Sequence, residues 1–216
     1  MPATPRSEIF DSHYRDYCSQ IASTDLSAVQ KRLNIKVKED MAKVLFFNET
    51  YEISGREIVN AQTREQADYV TSVILAKYIL LCPDELHLDA QWCTFRDFKK
   101  ESHFTNANYF NSDTTHRIQS RFSRRLPDLK AASAQLDGVI NTSEPSWDLS
   151  VAFPVLPRLS LLLLMNEADE EFPSDCRVLF QRQAEYYLDP ESLAMTSGLL
   201  AAKLIQTDKE RKSENE

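Results

Sequence analysis

Apolar positions along this chain switch between helical and strand periods, and the switches mark out the elements. Phe10, Tyr14, Tyr17 and Ile21 recur at helical spacing. "STDLSAVQKRL" then starts a second short helix, with Ser23 or Thr24 as its cap and Asp25 at the positive end of its dipole. "KVLFFNETYEISG" sets two β-rich arms around Asn48 and Glu49 and stops at Gly55, which predicts a hairpin. In "TREQADYVTSVILAKYILLCP", Thr63 and Gln66 fit a reciprocal capping box. Apolar residues cover most of the surface after Val70, and Pro83 follows the end. A helix with so little polar face belongs in the middle of a fold.

The aromatic stretch "AQWCTFRDFKKESHFTNANYF" has no clean period and predicts no element. "TTHRIQSRFSRRLPDLKAASAQLDG" reads as two consecutive helices broken near Leu126, because Pro127 is tolerated in a first turn but not in an interior, and Gly138 closes the pair. "WDLSVAFPVLPRLSLLLLM" alternates at Leu149, Val151 and Phe153 and again at Leu159, Leu161 and Leu163, the period of strands, with a bend or break at Pro154 and Pro157. "CRVLF" is a further short apolar segment, and "QRQAEYYL" is helical. The last helix has Asp189 as cap, Pro190 in its first turn and Leu193, Leu200 and Leu204 on one face. These elements predict an α+β fold: one domain over residues 1–206, a mostly antiparallel sheet covered by helices, and a polar disordered tail over 207–216.

Composition narrows the classes. With 42% apolar and 27% charged residues, the chain has the make-up of a globular protein. A formal net charge of −8 opposes a general nucleic-acid or anionic-membrane binder. "MPATPRSEIF" lacks the apolar core of a signal peptide, and the longest apolar run is far short of the ~20 residues that cross a bilayer, so a cytoplasmic location is expected. Cys18, Cys82, Cys93 and Cys176 are widely spaced and read as buried small hydrophobes.

Three groups of residues can carry chemistry. Asp169, Glu170, Glu171 and Asp175 leave the leucine-rich strand together; clustered carboxylates hold hard cations or divide acid and base roles. The plainer reading is a soluble turn that blunts a sheet edge, paired in part to Arg158 or Arg177. Arg117, Arg121 and Arg124 fall at i, i+4 and i+7, a stripe suited to an anion or to the protein's own acids, or simply a solvated helix face. Cys82, His87, Cys93 and His103 are zinc-ligand types, but spacings of five, six and ten residues match no compact module, and no metal is assigned. The sequence has no G-x-S-x-G elbow, and its three glycines lie far apart, so no phosphate cradle or dinucleotide fingerprint is present.

"LDGV" at 136–139, "WDLSVAFPVLPRLSLLLLM" and "EADEEFPSDCRVLFQRQAEYYLDPESLA" resemble, in order and spacing, the C-terminal half of a prokaryotic family, domain of unknown function 3786 (DUF3786). "WCTFRDF" is similar to that family's aromatic, Arg-containing segment, and a weaker likeness extends to the hairpin. The resemblance marks Trp92, Arg96, Asp148, Pro154, Pro157, Asp169, Glu170, Glu171, Phe172, Pro173, Leu179 and Phe180. This chain departs from it at Gln181, where an Asp is frequent, and at Met165–Asn166, where an aromatic is common. Some relatives carry a cysteine-rich iron–sulfur domain of the kind found beside corrinoid proteins; this sequence supplies no such cysteines, and its cofactor is left unknown.

The preferred reading is a non-catalytic binding or accessory module, for an unknown protein or small molecule of a redox or corrinoid-related system. Its surface is expected to combine Trp92, Arg96, Asp148, Arg158, Asp169, Glu170 and Glu171. The alternative is an enzyme in which Asp148, Asp169, Glu170 or Glu171 binds a divalent metal or moves a proton while Arg96 or Arg158 orients an anionic substrate. A third is a homo-oligomer with the aromatic segment at its interface.

Overall fold

The structure is a computed structural model that describes residues 8–98 and 114–213. Helix α1 (Glu8–Ala22) buries Cys18 and Ile21, and α2 (Leu26–Leu33) follows. The cap of α2 is Asp25, whose side chain accepts from the amides of Ser27 and Ala28, in place of the expected Ser23 or Thr24. Strands β1 (Lys36–Lys38), β2 (Met41–Phe46), β3 (Glu49–Ser54) and β4 (Ile58–Asn60) form an antiparallel meander. Gly55 lies under the end of α1: an added Cβ would stand 2.7 Å from the backbone Cα of Ala22, closer than packing allows.

Helix α3 (Tyr69–Leu80) is buried from Thr71 through Ala76 and at Tyr78 and Ile79, as a helix with almost no polar face must be. It starts later than the capping-box reading expects. Asp68 is the cap, accepting from the amide of Thr71, while Gln66 is drawn off into an antiparallel bridge with Val59. Beyond it come β5 (Trp92–Cys93) and a 3₁₀ turn over Phe95–Asp97.

Helices α4 (His116–Phe122) and α5 (Leu126–Gln135) are the expected broken pair, with Pro127 in the first turn of α5. Asp137 takes the left-handed backbone conformation after α5, with φ 57°. A five-stranded antiparallel sheet then forms in the order β5-β9-β8-β7-β6, from β6 (Val139–Ile140), β7 (Leu149–Leu156), β8 (Leu159–Asn166) and β9 (Asp175–Gln181). The pairing of β7 with β8 shifts register between Pro154 and Leu156, where proline interrupts the ladder. Four successive leucines, Leu161 to Leu164, are all buried, so β8 is covered on both faces. The hairpin at residues 41–54 and the strands at 149–166 therefore head two separate sheets.

One apolar cluster runs through both sheets and α3, and the backbone amide of Phe47 at the hairpin tip donates to the carbonyl of Val155 in β7 at 2.9 Å. Helix α6 (Ala184–Tyr187) is a single turn. Helix α7 (Pro190–Ser213) is capped by Asp189 and runs against α3, α4 and α5. Where a polar tail is expected to begin at residue 207, the helix continues to Ser213 with Thr207 and Asp208 buried. Hydropathy misses this because Asp208 is buried as a partner of arginines and not as an apolar residue.

Candidate functional site

The β8–β9 connection is a built turn. Asp169 Oδ1 accepts from the amides of Phe172 at 2.7 Å and Glu171 at 2.8 Å, and its own amide donates to the carbonyl of Phe172 at 3.0 Å. Those two amides hold the Asp169 carboxyl below the ordinary carboxylate range. Glu170, Glu171 and Phe172 are exposed around it. Asp148 sits at the same end of the sheet: its amide donates to Asn166 Oδ1, and its Oδ2 accepts from the amide of Glu167, each at 2.9 Å.

Glu167, which sequence reasoning passed over, closes this corner. Its Oε1 accepts from the amide of Leu126 at 2.9 Å, placing a carboxylate on the positive end of α5, which has no side-chain cap of its own. The two partners are 41 residues apart, so no local pattern announces the contact. Between the start of α5 and the loop after β6 opens a cleft of about 680 Å³, lined by Lys130, Ile140, Glu144, Trp147, Asp148 and Glu167 among others. Arg177 lies over the Trp147 ring, 5.2 Å from its centroid. Ser150 also lines the cleft; it is buried, and its Oγ has no partner among the described residues.

The remaining expected residues lie elsewhere. Trp92 pairs with Gln181, at the opposite end of β9 from Asp175. Six residues of strand put about 20 Å between the two ends. Arg96 is exposed on the 3₁₀ turn beside Trp92. Arg158 belongs to that end too, and its guanidinium donates to the carbonyls of Arg32 at 2.9 Å and Lys31 at 2.8 Å, a cation on the negative end of α2. The sheet thus divides the expected surface: Asp148, Asp169, Glu170 and Glu171 at one end, Trp92, Arg96 and Arg158 at the other.

A family model described as Domain of unknown function (DUF3786) matches residues 25–203. The chain belongs to this family. No curated protein and no solved structure matches it. Among the described residues of this DUF3786 chain, no helix is long and apolar enough to cross a membrane. No three His, Cys, Asp or Glu side chains there are grouped to hold a metal ion, and His103 lies outside the described residues.

The arginine stripe is broken by the backbone. Helix α4 stops at Phe122, and Arg124 takes a left-handed φ of 59°, so its i+7 position leaves the stripe. Arg125 turns back in its place. Arg121 Nη2 lies 2.6 Å and Arg125 Nη2 2.7 Å from the carboxylate of Asp208, and Arg125 also pairs with Asp128 at 2.8 Å. Burial pushes the Asp208 carboxyl up, but the guanidiniums of Arg125 and Arg121 outweigh it and hold the group below its ordinary range. Two of the buried thiols are equally committed to structure: burial pushes Cys93 up to about 11 and Cys176 up to about 12, leaving neither as a thiolate near neutral pH.

The Asp169 turn can be tested directly. The amide resonances of Glu171 and Phe172 are expected to titrate together, with a midpoint below the ordinary carboxylate value of about 3.9. In Asp169→Asn, whose amide oxygen preserves the turn without a titrating group, that transition should vanish. A midpoint at or above the ordinary value would show that the two amides do not hold the carboxylate.

Proposed function

We propose that this DUF3786 protein is a non-catalytic binding module, and that its contact surface is the cleft beside Trp147 with the acidic turn as its rim. The observation that carries this is how the carboxylates are used. Asp169 holds the turn amides, Asp148 holds Glu167, and Glu167 holds the start of α5. Such acids build a surface, while Glu144 in the cleft wall and exposed Glu170 and Glu171 on the turn serve recognition. The expected partner is a protein of a redox or corrinoid-related system, as the family resemblance implies.

Asp148 and Glu167 both reach a concave cleft, and this favours the second reading, an enzyme with a divalent metal or an acid–base pair. That reading loses the arginines meant to orient its substrate, because Arg96 and Arg158 lie at the far end of the sheet.

The chain's two tryptophans, Trp92 and Trp147, sit one at each end of the sheet, so each can be removed without touching the other site. A phage-displayed random peptide library selected on the intact chain is expected to yield binders that are lost with Trp147→Ala and kept with Trp92→Ala. Failure to enrich any peptide would overturn the module reading. So would a rise in melting temperature with Mg²⁺, Mn²⁺ or Ca²⁺ that Asp148→Asn abolishes.

A further inference from the structure

Strand β6 ends its sheet among the described residues, and both of its side chains are exposed, Val139 at 62% and Ile140 at 50%. The ladder shows which of its backbone groups are free. Asn141 donates to the carbonyl of Ser150 at 2.9 Å, so Asn141 and Ser150 form a hydrogen-bonded pair. Such pairs alternate along an antiparallel ladder, so Ile140, opposite Val151, is in a pair without hydrogen bonds, and its N–H and C=O point away from β7. Gly138 has the same parity, and its amide does turn outward, to the carbonyl of Ser133 in α5 at 2.9 Å. Helix α5 thus closes the edge at Gly138, and Ile140 is the first position where one donor and one acceptor face outward.

That edge opens onto the Trp147 cleft, which Ile140 and Thr142 line. Charge selects what fits there. Among the described residues of the cleft wall, Glu144, Asp148 and Glu167 stand against Lys130 alone, and exposed Glu170 and Glu171 follow on the adjoining turn. Arg177, a cation beside the cleft, is taken up by Trp147 and by Asp175 at 3.3 Å. Exposed β-branched side chains on an unpaired edge invite a strand, and an acidic rim invites a basic one.

We infer that the partner supplies an extended segment with alternating apolar and basic residues, which adds to β6 at Ile140 and lays its basic side chains into the acidic cleft. This rests on the binding-module reading and names the class of partner. The main chain of the segment exchanges hydrogen bonds with Ile140, the basic side chains on its cleft face run past Ile140 and the Trp147 ring to meet Glu144 and Asp148, and the apolar side chains on its opposite face cover Val139.

The test uses the intact chain with a synthetic alternating Lys/Val peptide, its Glu/Val counterpart and a proline-interrupted Lys/Val peptide, followed by fluorescence in the Trp92→Phe variant, where Trp147 is the only reporter. The Lys/Val peptide is expected to bind, more weakly as salt rises, while the other two bind at least tenfold less well. Ile140→Pro removes an outward N–H that no described residue uses, and it should weaken binding about tenfold, the equivalent of one hydrogen bond at the upper end of its range. Ile140→Ala, which keeps the N–H, should lose less. Binding that requires Trp147 but is unchanged by Ile140→Pro, or that is equal for the Lys and Glu peptides, would overturn strand addition while leaving the module reading in place. No binding by any of these peptides, while the library still yields Trp147-dependent binders, would overturn it as well; failure of both removes the module reading with it.

Discussion

Replacing Arg121 and Arg125 together with Met should destabilise the protein by about 3–5 kcal/mol, the cost of stranding a buried charge, and more than replacing the acid they share. Burial decides which partner matters. The side chain of Asp208 is 0% exposed, whereas Arg121 and Arg125 are 31% and 24% exposed. Without the acid, two guanidiniums can still turn to water, and Asp208→Asn keeps much of the hydrogen bonding, so it should cost only about 1–3 kcal/mol. Losing both arginines leaves the carboxylate with no solvent to turn to. Single arginine variants should sum to less than the pair, since either guanidinium partly covers for the other. The measurement is urea denaturation followed by far-UV circular dichroism. A double variant no less stable than Asp208→Asn would contradict the argument.

The same network sets an acid limit. The folded carboxyl of Asp208 lies below its unfolded value, so its contribution is fully present above about pH 3.9 and is lost as pH falls through the lower, folded value. A variant with Arg121 and Arg125 as Met and Asp208 as Leu should lose less stability between pH 5 and pH 2 than the natural chain.

What could be read from the sequence follows from the range of the interactions involved. The central helix, the broken helix pair at Pro127, the strands on either side of Pro157 and the Asp189 cap are written in neighbouring residues, and the structure has them. What the sequence hid was pairing across distance. Glu167 caps a helix that begins 41 residues earlier, and Asp208 holds arginines 83 and 87 residues away. Thr63 and Gln66 satisfy a local capping rule, yet a bridge to Val59 takes Gln66 first. The arginine spacing was correct for a continuous helix and failed where Arg124 leaves it. At the site, sequence placed the acids on one turn but had no means of knowing that β9 separates them from Trp92, because strand length becomes distance only once register is known. Tertiary context thus overrode local preference where the expected surface was divided.

Phe47→Ala should destabilise the chain by about 3–5 kcal/mol, and Phe47→Gly should be the less damaged of the two, by up to about 1–2 kcal/mol. That order reverses the usual one, in which glycine is the worse substitute within regular structure. The reason is the backbone. Phe47 and Asn48 form the two-residue turn of the β2–β3 hairpin, one position earlier than the sequence pattern suggests, and Phe47 is held at φ 52°, a left-handed conformation that a bulky residue rarely adopts. Its ring is 1% exposed, edge-on to Phe46 at 4.9 Å, with Lys203 Nζ 5.7 Å from its centre. Burial of that ring and the bond from its amide to Val155 hold the backbone there. Either small residue forfeits the ring, but only glycine relieves the backbone, so the difference between the two variants isolates the strain from the packing. Equal stabilities of the alanine and glycine variants in urea would mean that the turn carries no strain, and a glycine variant weaker than alanine would mean that chain entropy outweighs it.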